Sequence, residues 1–144
     1  MLVSQILKSK ADEGVLTVPA GITVGEAARI LSERRIGSLV VSEDGRRAEG
    51  IISERDIVRE IGRRGAGCLE DAVGSVMTRD VVTCTRADLA DGILATMTNG
   101  RFRHLPVVEE GELVGLISIG DVVKARLSEL SMEKDALEGM IKGF

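Results

Sequence analysis

The chain has 144 residues, of which 44% are hydrophobic and 29% charged, and its formal net charge is −4. This length and composition are typical of one folded globular protein and exclude a wholly disordered chain. An acidic chain with two Phe, no Trp and no Tyr has neither a basic face nor a base-stacking platform, so we expect no nucleic-acid partner. Without a long apolar run, a signal peptide or a multi-cysteine framework, the sequence predicts no membrane association and a cytoplasmic location.

In chain order, the first half begins with a β-rich run at residues 14–18. A capping box, Thr23 to Glu26, opens a helix that is predicted to reach about Arg35. Ser38–Val41 and residues 49–52 flank an Asp-Gly turn and therefore predict a hairpin. A helix from Ser53 to about Ile61 follows the hairpin.

The second half repeats this order after a glycine-rich linker. A short strand is expected at residues 80–84, then a helix with Asp88 as its N-cap and Asn99-Gly100 as its stop. A hairpin is predicted from His104–Val108 and residues 112–117. A helix from Ser118 to about Leu130 ends the repeat.

The two halves align residue by residue, at a spacing of 66 that becomes 65 after one deletion. Val15-Leu16-Thr17 matches Val81-Val82-Thr83, and the segment from Gly50 to Asp56 matches that from Gly115 to Asp121. Each unit is β-α-β-β-α, so the fold class is α/β (α+β), with two repeats related by a pseudo-twofold axis. We expect repeat 1 at residues 1–62, a linker at 63–72, repeat 2 at 73–130 and a helical tail at 131–144.

Two further segments lie outside the β-α-β-β-α units. Val3–Leu7, which precedes the first repeat, is echoed by Val73–Met77 before the second. The tail carries Leu130, Leu137 and Ile141 on one side, with Lys134 in the same stripe. Because this is too short a heptad run to predict a coiled coil alone, we expect a helix packed on its own body or on a second subunit.

The most informative motif is a buried strand followed by Ser-x-x-Asp, which occurs in both halves as Ser53/Asp56 and Ser118/Asp121. One copy is explained by helix capping alone. The same arrangement also suits a ligand, because free N–H groups at a helix N-terminus attract an anion and a carboxylate accepts hydrogen bonds from ribose hydroxyls. Two copies at equivalent places favour a nucleotide site.

These segments, with Thr23–Ala28, Ile36–Val41 and Arg103–Val108, resemble tandem CBS domains, named for cystathionine β-synthase, over about Val3 to Leu130. The resemblance implies a paired fold, frequent dimerisation, and regulatory binding of an adenine nucleotide such as AMP, with ADP, ATP, NAD or S-adenosylmethionine as alternatives. It implies no required cofactor and no catalysis. A homodimer and an unidentified protein target are the expected partners.

Transferred onto this sequence, the resemblance implies two clefts. In the first, the base is contacted by Thr17, Ile36 and Gly37, and the ribose and phosphates by Ser118, Asp121, Arg103 and His104. In the second, the ligand is contacted by Thr83, Phe102, Ser53 and Asp56. Gly37 and Ser38 stand where the first cleft has Arg103 and His104, so we expect weaker phosphate binding in the second cleft.

Two other functions remain open at this stage. The chain can be a structural dimerisation module with vestigial clefts, or a small nucleotide hydrolase that uses His104 with Ser118 and Asp121. The hydrolase is disfavoured because no nucleophile elbow, oxyanion loop or metal cluster accompanies the only histidine. Arg34-Arg35 and Arg63-Arg64 are interpreted as solvated helix ends and linker.

Overall fold

The alternation of short β-rich runs with amphipathic stretches gives five helices and five strands in the computed structural model, which describes residues 1–10 and 14–143. The helices are α1 (Val3–Ser9), α2 (Val24–Arg34), α3 (Glu54–Arg64), α4 (Ala90–Gly100) and α5 (Ile119–Ile141). The strands are β1 (Thr17–Val18), β2 (Ser38–Val41), β3 (Gly50–Ser53), β4 (His104–Glu109) and β5 (Glu112–Ser118). Two short 3-10 helices, Ala66–Glu70 and Val73–Ser75, join the halves.

Each half is built around a hairpin with a helix after it. In the first half β1 runs parallel to β2, and β2 pairs antiparallel with β3. In the second half β4 pairs antiparallel with β5. Both hairpin turns contain a glycine with a positive φ, Gly45 at 74° and Gly111 at 80°, a conformation that suits glycine because it has no Cβ. Both predicted hairpins are confirmed.

The first strand of the second half is the clearest error of the sequence prediction. Residues 80–84 form no strand, and only Cys84 bridges to Val107, as Val18 does to Val41 in the first half. The amide of Val81 donates to the carbonyl of Arg79 at 2.9 Å, a local turn that keeps the preceding residues away from β4. The chain therefore meets the sheet at one residue.

Of the predicted helix starts, one is confirmed and one is wrong. Thr23 caps α2 as predicted, because its hydroxyl accepts from the amide of Glu26 at 3.1 Å. Asp88 does not cap α4: its carboxylate accepts from the amide of Thr85 at 2.8 Å, while Leu89 occupies the N-cap position. Asp88 thus closes the turn before the helix instead of starting the helix. At the other end, Arg101 takes the left-handed conformation just after Gly100.

The core of each half includes residues from the segment that precedes the other half. Val3 and Ile6 of α1 are buried in the core of the second half, whereas Val73 is buried in the core of the first. In both halves the incoming segment lies close to a strand. A Cβ on Gly50 would lie 2.5 Å from the sulfur of Met77, and a Cβ on Gly115 would lie 2.9 Å from Leu7. Strand glycines thus make room for the crossing segments.

The predicted tail is continuous with the last helix of the repeat, so α5 runs without a break past Leu130. Only its first turns contribute buried side chains, Val122 and Ala125. Beyond them every apolar side chain of the tail within the described residues is exposed, which contradicts packing on the chain's own body. Phe144 lies outside the described residues.

Candidate functional site

One cavity of about 960 Å³ opens between the two halves, within the range of small-molecule sites. Its walls come from α1, the approach to β1, the loop between α2 and β2, strand β5 and the first turn of α5. Five of the residues predicted for the first cleft line it: Ile36, Gly37, His104, Ser118 and Asp121. Thr17, which pairs with Val40 in the sheet, and Arg103 are not in the lining.

Ser118 and Asp121 form a reciprocal cap at the start of α5. The Ser118 hydroxyl accepts from the Asp121 amide at 3.1 Å, and Asp121 Oδ2 accepts from the Ser118 amide at 2.9 Å. The motif therefore does the capping work that a single copy predicts. One further contact distinguishes it from an ordinary cap: Lys10 Nζ donates to the same Oδ2 at 2.9 Å and to the Leu116 carbonyl at 2.8 Å.

These contacts fix the charge of Asp121. Burial alone would raise the pKa of its carboxyl, but hydrogen bonds from the Ser118 amide and the Lys10 ammonium outweigh that effect and hold the pKa below its usual value. The cleft therefore contains a carboxylate that is ionised at neutral pH and half-buried. Such a group can accept two hydroxyl hydrogen bonds once Lys10 shares or leaves it.

His104 lies across from this carboxylate and is also half-buried. Burial is the largest influence and lowers its pKa; the carboxylates of Asp121 and Glu54 raise it, and Lys10 and Arg103 lower it, each by less than burial does. Its imidazole is therefore neutral near pH 7. Gly37 allows this placement, since a Cβ there would lie 3.1 Å from His104 Cε1 and 3.0 Å from a Glu54 oxygen.

Positive charge in the cleft comes from residues that the sequence reasoning did not assign to it. Lys8 and Lys10 of the segment before β1, and Arg34 and Arg35 at the end of α2, line the cavity. Arg34-Arg35 had been interpreted as a solvated helix end; both side chains are exposed, yet they also border the cleft. The sequence feature that could have identified Arg34 and Arg35 is their position: they directly precede Ile36, at a helix end where the chain turns toward β2.

Ser38 is a further cleft residue that the sequence did not predict. It lines the cavity, is only 3% exposed, and its hydroxyl has no hydrogen-bond partner among the described residues. Buried hydroxyls are nearly always satisfied, so an unsatisfied one on a cavity wall marks a place where a bound group can donate or accept. Ser38 is the repeat equivalent of His104, so both halves direct a polar side chain into the same cleft.

The predicted second cleft has a different structure. Ser53 and Asp56 form the same reciprocal cap, with Asp56 Oδ2 accepting from the Ser53 amide at 2.9 Å, and Asp56 is 8% exposed. Its remaining oxygen contacts Arg59 of its own helix at 3.4 Å, and among residues 1–10 and 14–143 Arg59 is the one cation paired with it.

The other two residues predicted for this cleft, Thr83 and Phe102, do not line the cavity between the halves. Thr83 is exposed, and Phe102 packs against the core of the second half. A smaller cavity of about 440 Å³ lies between α2 and α3 and is lined by neither pair.

A catalytic triad is not assembled in this cleft. The carboxylate of Asp121 is engaged by Ser118 and Lys10, and the Ser118 hydroxyl by the Asp121 amide. Within residues 1–10 and 14–143, no hydrogen bond joins His104 to either of them, and no cluster of three metal-ligating side chains occurs. No helix in that same part of the chain is long and apolar enough to span a bilayer.

Comparison with known proteins gives a consistent family. The model of the CBS domain matches residues 3–63 and again 73–128. The mitochondrial CBS domain-containing protein CBSX3 of Arabidopsis thaliana is 34% identical over 98% of this chain and 72% of its own length. The crystal structure of the CBS-domain containing protein ATU1752 from Agrobacterium tumefaciens is 43% identical, with a TM-score of 0.83 over 88% of this chain and 99% of that one.

Structural relatives solved with a ligand include the CBS domain pair of protein MJ0100, in complex with 5'-methylthioadenosine and S-adenosyl-L-methionine, which is 25% identical, with a TM-score of 0.76 over 87% of this chain and 98% of that chain. The CBS domain protein PAE2072 from Pyrobaculum aerophilum, solved in complex with AMP, is 28% identical, with a TM-score of 0.77 over 92% of this chain and 99% of that chain.

Proposed function

Because the chain belongs to the CBS domain family, we propose that it is a non-catalytic regulatory module that binds an adenine nucleotide, AMP first among the candidates, in the cleft between its halves. The observation that carries the proposal is the ion pair between Asp121 and Lys10 on the cavity wall. A cap needs no cation from a segment 111 residues away, whereas a nucleotide site needs both a hydroxyl acceptor and a positive charge beside it.

In this proposal Asp121 accepts the ribose hydroxyls and Ser118 lies beside the sugar. Ile36, Gly37 and the exposed Leu16 offer apolar and backbone contacts to the base. The phosphate lies toward Lys8, Lys10, Arg34 and Arg35, which replace the predicted Arg103. His104, neutral at pH 7, donates a hydrogen bond rather than a charge. The AMP complex of a relative with the same fold supports this choice of ligand.

The proposed module senses the ligand without changing it. Binding alters the relative populations of its conformations only as far as the ligand prefers one of them, and an unidentified protein partner reads the difference. The separated, free thiols Cys68 and Cys84 are consistent with the cytoplasm as the predicted location. In the second cleft Asp56 is held by Arg59, so this cleft has only a structural role in the proposal. The alternative function, a dimerisation module, gives that role to both clefts.

The experiment is thermal unfolding of the full chain with AMP, ADP, ATP, NAD, S-adenosylmethionine and adenosine. At a ligand concentration of 100 Kd, mass action adds about 2.7 kcal/mol and raises Tm by roughly 5–10 °C. Asp121→Asn should weaken AMP binding roughly 10- to 150-fold. Asp56→Asn is the matched control, because it alters the same cap without reaching the cavity, and should leave the Kd within about twofold.

A second variant tests the cation. Lys10→Met removes one of the cations toward which the phosphate lies, so AMP should bind at least about tenfold more weakly while neutral adenosine changes little. Absence of any ligand shift would favour the dimerisation module, whereas equal losses of affinity in the Asp121 and Asp56 variants would contradict the assignment of the site to the Asp121 cleft. Nucleotide hydrolysis that scales with protein and vanishes in His104→Ala would establish the hydrolase instead.

A further inference from the structure

One buried hydroxyl in the wall of the cleft makes no hydrogen bond within residues 1–10 and 14–143. It belongs to Ser38, which is 3% exposed and lines the cavity between the halves. An unsatisfied buried polar group lowers the stability of a fold, and nearly all buried hydroxyls are satisfied. Ser42 shows the ordinary case: it is equally buried, but its hydroxyl accepts from the Gly45 amide at 3.0 Å and donates to Asp44 Oδ1 at 3.1 Å. Ser38 therefore needs an explanation that the fold does not supply.

The position of Ser38 on β2 directs its side chain toward the cleft. Leu39 and Val41 of the same strand are buried in the core of the first half. Because successive side chains of a strand point to opposite faces, Ser38 lies on the face away from that core, where it lines the cavity. Ile36 and Gly37, which directly precede it, line the same cavity and are the proposed contacts of the base. Ser38 thus stands next to the proposed base position.

The distribution of charge in the cleft favours an uncharged ligand group at Ser38. Lys8, Arg34 and Arg35 line the same cavity but are exposed, whereas Ser38 is buried. A phosphate beside these cations keeps its counter-charges and part of its water. At Ser38 it would lose that water in exchange for one neutral hydroxyl, which is unfavourable for a charged group. A neutral polar group of the ligand, such as the edge of a base, is the better match.

An amino group is the part of a base that most needs a partner at this place. Buried N–H donors without a partner are rarer in folded proteins than under-used acceptors, so a buried amine requires an acceptor. The carbonyl of Gly37 already accepts from the Glu54 amide at 3.0 Å. The carboxylate of Asp121 already accepts from Lys10 at 2.9 Å. The Ser38 hydroxyl oxygen, by contrast, is an acceptor that the described residues leave unused.

We propose that Ser38 Oγ accepts a hydrogen bond from the exocyclic 6-amino group of the adenine base and thereby makes the cleft select purines that carry this amine. The inference rests on the proposed nucleotide function and adds a specificity-determining residue to it. A site built to pair with a polar group of its ligand rejects an analogue that lacks the group, because the buried partner is then left unpaired. In the ligand-free chain the same hydroxyl is unpaired and lowers stability.

Calorimetric titration of the full chain tests the contact with two ligands, AMP and purine riboside 5′-monophosphate, which differs from AMP only in lacking the 6-amino group. The wild type should bind AMP about 5- to 20-fold more tightly than the analogue. Ser38→Ala should weaken AMP binding by that factor and leave the Kd of the analogue within about twofold, so that the preference disappears. Ser42→Ala is the matched control, because Ser42 is as buried as Ser38 but lines neither cavity, and it should keep the preference.

Thermal unfolding of the ligand-free variants gives a second readout that needs no nucleotide. Ser38→Ala should leave Tm unchanged or raise it, since it removes an unsatisfied group, whereas Ser42→Ala should lower Tm by about 3–6 °C. A lower Tm of Ser38→Ala would show that the hydroxyl serves the fold and would overturn the proposal. AMP affinity that Ser38→Ala leaves unchanged, or an equal loss for AMP and the analogue, overturns the role of Ser38 alone. A wild type that binds no AMP overturns the nucleotide function and this inference together.

Discussion

Asp121 and Asp56 begin their helices with the same hydrogen bonds but differ in their third partner. Asp121 is held by Lys10 from the opposite end of the chain, whereas Asp56 is held by Arg59 from the next turn of its own helix. Local capping is thus common to both repeats, and only one of them joins a carboxylate to a cavity. At the residue scale, the long-range cation separates a candidate binding group from a structural cap.

His104 is a reporter of this environment because it is the only histidine in the chain. Burial lowers its pKa, so its imidazole proton resonances should titrate with a midpoint below the ordinary value of about 6.5. Asp121→Asn removes a carboxylate that raises this pKa and should move the midpoint lower still. Asp56→Asn, in the other repeat, should leave it unchanged. NMR titration provides the measurement, and a wild-type midpoint at or above 6.5 contradicts the assigned environment.

The same shift has a consequence for stability. Because the pKa of His104 is lower in the folded chain, the unfolded chain binds more protons as pH falls below about 6.5. The free energy of unfolding should therefore decrease in that window, before the carboxylates are protonated. The contribution of Asp121 has the other sign of shift: its lowered pKa stabilises the fold above about pH 4 and is lost only below it.

At the scale of elements, the sequence predicted what local chemistry controls. Hairpins defined by Asp-Gly or Glu-Gly turns, and helices opened by Thr23, Ser53 and Ser118, are all present. It failed where a competing contact decided between equivalent local choices. Asp88 could cap a helix as well as any acidic residue, but its carboxylate accepts a hydrogen bond from the amide of Thr85 instead. A β-rich run at 80–84 has no partner until Cys84.

Gly50 shows why the strands contain glycine at these positions. A Cβ there would lie 2.5 Å from Met77 Sδ and 3.0 Å from the backbone oxygen of Thr78, so Gly50→Ala must displace a segment that bridges to β3. We expect it to lower the free energy of unfolding by about 1–3 kcal/mol. Gly92→Ala is the control, since nothing lies within 4 Å of its Cβ and α4 should gain roughly 0.5–1 kcal/mol. Urea unfolding measures both, and a neutral or stabilising Gly50→Ala would contradict the close approach.

Across the whole molecule, the repeat was readable from sequence, but the manner in which its halves join was not. Internal similarity predicted two packed units and a cleft between them. It did not predict that α1 completes the core of the second half, or that Lys8 and Lys10 consequently reach the cavity. Contacts over more than 100 residues leave no periodic signal, so the two lysines of the cleft could be identified only from the structure.

The exchange of segments predicts that the two halves unfold together, because neither core is complete without a piece that lies in the chain before the other repeat. Two thiols are buried: Cys84 in the core of the second half, and Cys68 in the 3-10 helix Ala66–Glu70, which packs on α2 and α3 of the first half. Burial, with help from the Asp88 carboxylate, raises the pKa of Cys84 to about 12, so its thiol should react only after opening.

In single-cysteine variants, both thiols should become reactive with the same free energy of opening, equal to that of global unfolding from circular dichroism. Ile6→Val, a change in the core of the second half that costs about 0.5–1.5 kcal/mol, should lower the opening free energy of Cys68 in the first half by the same amount. Protection of Cys68 that is unchanged by Ile6→Val would mean that the halves open independently and that the crossing segments do not couple them.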